Sequence, residues 1–412
     1  MKVLWFEVTA PHGYNGKGHV LGGWQDSLER VVRACKDIEL VVSFESRNGE
    51  SEVKIVDGVK YVPLTIRYSS VEKIKAKWDF EIYARKIDAA MQLVVESEKP
   101  DLIHVFGAEW PFGRIAKYTD IPVVVHIMGS MVPYVNALYA PGFSFADVLG
   151  AIPWWNVKKR FGRWCSEQRM YSWRHSEEQV WQCVKNYMGR TDWDYGLSKV
   201  LHPGRKYFHV EEALRQEFLS AEKKWVGGVS SRIRLFSTGC SNFWKGPDML
   251  LKTARILTQM GVDFEWNVAG QMNPEVKKCV EKKLATTFAE NKVRLLGFVQ
   301  PDKLSDILCE SSMYVHTAYI ENSPNSICEA QCMGVPVVST DVGGIGTLVR
   351  NGVDGVLVPA NDPWQMANAI VELVRDRQRA SLYSSNAMKF ALERHSDKNI
   401  LDQLLACYRS LV

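Results

Sequence analysis

The sequence predicts an α/β protein built from two doubly wound parallel sheets. Short apolar runs alternate with longer amphipathic stretches along the whole chain, the order expected of successive βαβ units. The chain has 412 residues, too many for one ordinary core, so two domains of roughly 200 residues each are expected. Ala221 to Ser231, with Gly227-Gly228, has the composition of a linker and hinge. We therefore expect an N-terminal domain over 1–225, a C-terminal domain over 226–395 and a closing helix over 396–412.

The totals narrow the function. A formal net charge of +4 is too modest to argue for nucleic acid. No run approaches the eighteen or more apolar residues of a membrane span, and Met1-Lys-Val-Leu-Trp-Phe-Glu is too short and acidic for a signal peptide. The nine cysteines are scattered, without paired metal-ligand spacing, and read as reduced thiols of a cytoplasmic protein. Cys328 and Cys332 stand one helical turn apart, which suits packing.

In the first half, Lys2 to Val8 reads as a strand. The loop after it carries Gly13, Gly16, Gly18, Gly22 and Gly23, and a helix over Trp24 to Val32 follows. Glycines at a strand-to-helix turn let backbone amides approach a phosphate; a flexible turn is the other reading. No G-x-G-x-x-G register fits, which argues against a dinucleotide cofactor. Strands are expected at Ile38 to Phe44 and Tyr61 to Ile66, a helix at Phe80 to Glu98, and a strand at Pro100 to Phe106, leading to Glu109. Residues at strand ends face the ligand crevice of such folds, so His104 and Glu109 are acceptor-side candidates. A satisfied core histidine is the competing reading of His104.

Ile121 to Gly129 repeats the strand pattern, with His126 near its end and Gly129-Ser130 as its turn. From Trp154 to His175, aromatic residues interleave with Lys158, Lys159, Arg160, Arg163, Arg169 and Arg174. Two readings stand: a helix resting on an anionic membrane surface, or a packed helix with solvated charges. Tyr187 to Tyr195 reads as the last strand and turn of the first domain, with Thr191 or Asp192 capping the next helix. Arg190 either faces a ligand or holds a loop carbonyl.

In the second half, Arg234 to Thr238 starts a new sheet, and Gly239 to Gly246 leads into a helix around Met249 to Gln259. Lys245 in that loop supplies a point charge for phosphate. Strands follow at Phe264 to Gly270, Val293 to Val299, Ser312 to Thr317 and Val335 to Ser339, with a helix at Asp302 to Leu308. His316, in the third of these strands, reads as core. A hairpin-like Asn351 to Gly355 and two helices from Pro363 to Glu393 complete the domain. Between the last two strands, Glu321 lies on a loop and Glu329 about two helical turns on. The amides of Ser323 to Ser326 form a helix N-terminus suited to an anion. A carboxylate beside them accepts from sugar hydroxyls; the plainer reading is that both acids favour the helix dipole.

The run Glu321-Asn-Ser-Pro-Asn-Ser-Ile-Cys-Glu329, with Gly334-Val-Pro-Val-Val, Asp341-Val-Gly-Gly and Asn351-Gly-Val-Asp-Gly, resembles the E-x7-E region of retaining GT-B glycosyltransferases, particularly family 4. Gly189 to Asp194 and Tyr207 to Arg215 resemble a bacterial subgroup associated with surface polysaccharides. The resemblance implies two Rossmann-like domains facing a cleft, with the closing helix crossing back to the first. It implies a nucleotide-diphosphate sugar as co-substrate, a glycan or lipid-linked acceptor, no cofactor and no metal. On the donor side it implies Gly22, Gly23 and Lys245 at the diphosphate, Gln271, Phe298 and Val299 along the base, Glu321 and the Asn322, Ser323, Pro324, Asn325 and Ser326 backbone at the sugar, and Glu329 at the ribose.

Glu321 and Lys245 then serve the reaction centre. His126 is a candidate substitute for the histidine that family members often carry at the position of Met128. On the acceptor side the candidates are His104, Glu109, Gly129, Ser130 and Arg190. Cys240 stands where the family's phosphate-loop arginine is expected, which leaves the diphosphate short of one cation unless Arg190 or another residue compensates. Two other functions fit the residues less fully: a nucleotide-sugar epimerase, and a catalytically silent subunit at the membrane surface.

Overall fold

The computed structural model describes residues 1–15, 23–46, 49–227 and 232–412. They form two compact units. The first is Met1–Val135, Phe161–Arg215 and His395–Val412; the second is Asn136–Arg160 and Gln216–Arg394.

The first unit is built on an eight-stranded sheet: β1 (Lys2–Glu7), β2 (Glu39–Glu45), β3 (Lys54–Val56), β4 (Val59–Leu64), β5 (Leu102–Phe106), β6 (Val123–His126), β7 (Asn186–Gly189) and β8 (Lys206–His209). Its order is β3-β4-β2-β1-β5-β6-β7-β8, parallel throughout except for the antiparallel β3 and β4 pair. Strand alternation sorts the side chains into two cores. Leu4, Phe6, Ile103 and Val105 pack with Ile87 and Met91 of the Glu81–Glu98 helix. Val3, Trp5, Leu102 and Phe106 pack with Leu28 and Val32 of the Gly23–Arg33 helix and with Leu404 and Tyr408 of the Asp397–Arg409 helix. Burial on both faces is why β1 reads as an unbroken apolar run from Val3 to Phe6 and β5 as one interrupted only by His104. The sequence reading ended this sheet at β7 and did not place β3; both extra strands lie at edges and lack a fully buried face.

The second unit has six parallel strands: β9 (Ile233–Thr238), β10 (Phe264–Ala269), β11 (Val293–Gly297), β12 (Met313–His316), β13 (Val337–Thr340) and β14 (Val356–Val358). Their order is β11-β10-β9-β12-β13-β14. The chain winds outward from β9 through β10 to β11, then returns beside β9 with β12. The pair β9 and β12 is therefore the topological switch point, where such sheets open a crevice beyond their strand ends. Asn351 to Gly355 is not half of a hairpin: it is a turn bridged Asn351 to Gly355 that enters β14, which pairs parallel to β13.

Asn136–Arg160 belongs to this second unit because its apolar side chains complete that core. Ala140, Phe143, Val148 and Ala151 cluster with Leu250, Leu251, Val276 and Val280. Lys283 pairs with Asp147 at 2.8 Å, Lys159 with Glu275 at 3.2 Å, and Lys282 donates to the Gly150 carbonyl. The basic and aromatic segment becomes a helix over Val157–Cys183, and its two ends differ. Near its start, Trp154, Trp155, Val157, Phe161 and Trp164 are exposed. Further on, Trp173 stacks on Phe80 at 4.9 Å, and Arg169 donates to the Ala76 carbonyl.

Candidate functional site

In the second unit, backbone contacts bring two loops together at the switch point. Gly246 takes φ +69°, and a Cβ there would lie 1.8 Å from the Thr317 carbonyl oxygen. Only glycine lets the loop after β9 approach the end of β12 so closely. Tyr319 N–H donates to the Trp244 carbonyl at 2.7 Å, Thr317 Oγ1 to the Lys245 carbonyl at 3.1 Å, and Tyr319 Oη to Asp248 at 2.8 Å. On the other side Gly344 N–H holds the Glu321 carbonyl at 2.9 Å, and a Cβ at Gly343 would lie 1.8 Å from the same oxygen.

So held, the Lys245 ammonium and the Glu321 carboxylate form an ion pair. The Lys245 side chain is 28% exposed and that of Glu321 8%, so the lysine is the member that meets solvent. His316 adds a third group, with Nε2 3.8 Å from the same Glu321 oxygen; it is buried in β12, as its place in the strand predicts. The Asn325–Cys332 helix begins beside this pair, with Pro324 at its N-cap and no side chain capping it. Asn322 and Glu329 are both buried, each with polar partners. Gly270 N–H donates to the Gly297 carbonyl at 2.7 Å, which ties the ends of β10 and β11. Gln271 and Phe298 follow those ends and are exposed; Val299 is half-buried.

Cys240 is buried in the apolar core of the unit, and burial pushes its thiol up to about 12. It contributes no positive charge. In the first unit the Arg190 guanidinium pairs with Glu212 at 2.7 Å and donates to the Ile127 carbonyl at 3.0 Å.

The first unit gathers three of the acceptor-side candidates. Glu177 is buried and accepts from Ser130 Oγ at 2.6 Å, from the N–H groups of Met131 and Val132 at 2.5 and 3.1 Å, and from the Trp181 indole at 2.8 Å. Burial raises its carboxyl to about 7 despite those donors. Glu109 accepts from the Gly129 N–H, and burial together with the nearby Glu177 charge raises it to about 8, so it is largely protonated at neutral pH. Two carboxyls thus hold the Gly129-Ser130 turn. Glu177 was visible in the sequence only as an acid at the end of a basic stretch.

The histidines lie elsewhere. His104 Nδ1 meets Tyr408 Oη at 2.7 Å, while Trp5 donates to the same oxygen. His126 is fully buried, edge-on to Trp24 at 4.9 Å, and burial first, then the Arg190 charge, hold it well below the usual imidazole range. Gly23 opens a helix at φ +57°; Gly22, with Gly16, Gly18 and Gly228, lies outside the described residues. Among the described residues no cluster of three or more His, Cys, Asp or Glu side chains could hold a metal ion. Asp192-Trp-Asp194 starts a helix whose Thr191 cap pairs with Asp194 in a capping box.

Residues 232–376 match the family model described as glycosyl transferases group 1. The chain is similar in structure to sucrose-phosphate synthase from Thermosynechococcus elongatus, with a TM-score of 0.74 and 15% identity over 100% of this chain and 98% of that one. The fold is GT-B. A second GT-B neighbour, HepE of Anabaena in complex with UDP-glucose, has a TM-score of 0.65 and 17% identity over 100% of both chains. In sequence, D-inositol 3-phosphate glycosyltransferase 1 of Catenulispora acidiphila is 31% identical over 177 residues, 41% of this chain and 42% of that protein. The chain spans about half the length of the curated relatives it matches. Lys245, Glu321 and Glu329 of the GT-B switch point all lie within the group 1 match.

Proposed function

We propose that this chain is a retaining glycosyltransferase that moves a sugar from a nucleotide-diphosphate donor to a hydroxyl of a glycan or lipid-linked acceptor, as in bacterial surface-polysaccharide synthesis. The observation that carries this reading is the Lys245–Glu321 pair at the switch point of a domain that matches the group 1 transferases. Sugar transfer needs a cation where the leaving diphosphate gathers charge and a carboxylate beside the sugar hydroxyls. Lys245 and the first amides of the Asn325–Cys332 helix serve as prearranged stabilisers of that charge. Glu321 orients the sugar and Glu329 holds the ribose. The bond from the anomeric carbon to the diphosphate breaks as the acceptor oxygen bonds to the same face, and the acceptor proton passes to a diphosphate oxygen.

The test is a thermal-shift panel of nucleoside diphosphates and their sugar conjugates, because a bound ligand stabilises the folded chain by mass action. At least one nucleoside diphosphate is expected to raise the melting temperature, by an amount that grows with its concentration. Glu329→Ala is expected to weaken that ligand about tenfold or more, from the loss of hydrogen bonds to a charged group. A chain that responds to no member of the panel rules the donor site out. Label moving from a matching sugar conjugate into membrane extract then separates transfer from mere binding.

We further place the acceptor step at the inner face of an anionic membrane. Trp154, Trp155, Val157, Phe161 and Trp164 are 78%, 69%, 69%, 53% and 42% exposed, and Val157, Phe161 and Trp164 share one face of their helix. Exposed Lys158 stands among them, and each such charge near anionic lipid is worth about 1 kcal/mol. No helix of the described residues is long and apolar enough to cross a membrane, so the contact is peripheral. Sedimentation with phosphatidylglycerol vesicles should carry the wild-type chain down and leave Trp155→Ala/Lys158→Glu/Phe161→Ala in solution. Equal sedimentation of both removes this surface from the reading.

A further inference from the structure

His316 ends β12 at the switch point, 4% exposed. By strand alternation it shares a face with Tyr314, on which its ring stacks at 6.2 Å. Tyr314 in turn meets Thr238 Oγ1 at 2.8 Å and hydrogen-bonds Ser326 at the start of the Asn325–Cys332 helix. This face therefore runs beneath the candidate donor site from the helix end to Glu321. At its far end His316 Nε2 is buried with no hydrogen-bond partner. The nearest carboxylate oxygen is Glu321 Oε1 at 3.8 Å, too long for a hydrogen bond, and that same oxygen is held by Lys245. A buried, unpartnered nitrogen is costly to keep, and here it is aimed at an atom whose present partner the proposed reaction draws away.

We propose that His316 is the positioning residue for Glu321, taking over that carboxylate when Lys245 turns to the donor's diphosphate. The inference rests on the donor-site reading above. Once the ammonium has moved to phosphate, Glu321 is a buried carboxylate without its cation. A small shift of its side chain toward β12 gives it the Nε2 proton of a neutral imidazole, and burial keeps His316 neutral by lowering it to about 4. Glu321 is then fixed with its other oxygen free to accept from a sugar hydroxyl. The exchange links the two halves of the donor: phosphate releases Glu321 from Lys245, and His316 sets it for the sugar.

Calorimetric titration with a nucleoside diphosphate and with its sugar conjugate tests this. His316→Leu is expected to bind both the bare diphosphate and its sugar conjugate about tenfold more weakly, because either ligand draws Lys245 away and leaves Glu321, a charged group, without the hydrogen bond that replaces it. His316→Gln, whose amide donates from a similar position, is expected to recover most of that loss. In wild type labelled with 15N-histidine, the bare diphosphate alone should give the His316 Nε2 proton a slowly exchanging, hydrogen-bonded signal, a readout that needs no variant to fold. Wild-type affinity of His316→Leu for the bare diphosphate, or no change in that signal on saturation with the diphosphate, overturns the hand-over while leaving the donor site standing. A wild-type chain that binds neither ligand overturns the donor-site reading, and the hand-over with it.

Discussion

Lys245→Met is expected to lower the rate of sugar transfer by about a hundredfold or more, the usual scale for removing one stabiliser of developing charge. Methionine keeps the unbranched stem and removes only the ammonium. Cys240, in the same loop, is a buried thiol and offers no replacement charge. Donor affinity should fall by roughly tenfold to a hundredfold as well, from the loss of one hydrogen bond to a charged group. Initial rates measured beside calorimetric titration separate the two effects. Wild-type turnover in Lys245→Met at saturating donor would remove the lysine from the chemistry.

Arg190→Ala should cost the first unit about 3–5 kcal/mol, the range for breaking a buried pair from one side. The side chains of Arg190 and Glu212 are 2% and 0% exposed, so bulk water does not take the place of the lost guanidinium. The Ile127 carbonyl also loses a donor. Urea unfolding reads the loss directly. The double variant Arg190→Met/Glu212→Leu should regain most of it, because a pair of apolar groups leaves no charge stranded. A single-variant loss under about 1 kcal/mol, the scale of an exposed pair, would show that the pair is solvated in solution.

What the residues disclosed in advance follows from where each element is buried. Strands such as β1, β5 and β12 were legible because both faces of the sheet are covered and their residues are mostly apolar. β3 and β8 were not, since edge strands carry exposed positions that erase the pattern. Lys245, Glu321 and Glu329 stood out through motif and spacing, which are local. Glu177 did not, because its donors Ser130, Met131 and Val132 are far away in the chain and only the fold joins them. Periodicity placed His316 in a buried strand, as found, yet alternation alone does not tell which buried side chain points along the strand toward a charged pair. Nor did composition mark Asn136–Arg160 as a segment that leaves its neighbours: its aromatics look like any others until Phe143 meets Phe243 at 5.3 Å.

That segment governs how the molecule can be taken apart. The chain passes from one unit to the other after Val135, Arg160, Arg215 and Arg394, so no single cut yields two self-sufficient fragments. A piece beginning at Gln216 lacks the rings of Tyr139 and Phe143 that pack on Phe243, two residues before Lys245. A piece ending at Arg215 lacks the Tyr408 hydroxyl that Trp5 and His104 share. Swapping donor specificity between relatives by exchanging halves at the midpoint would therefore splice mismatched cores, and a workable chimaera must carry 136–160 with the second half and 395–412 with the first.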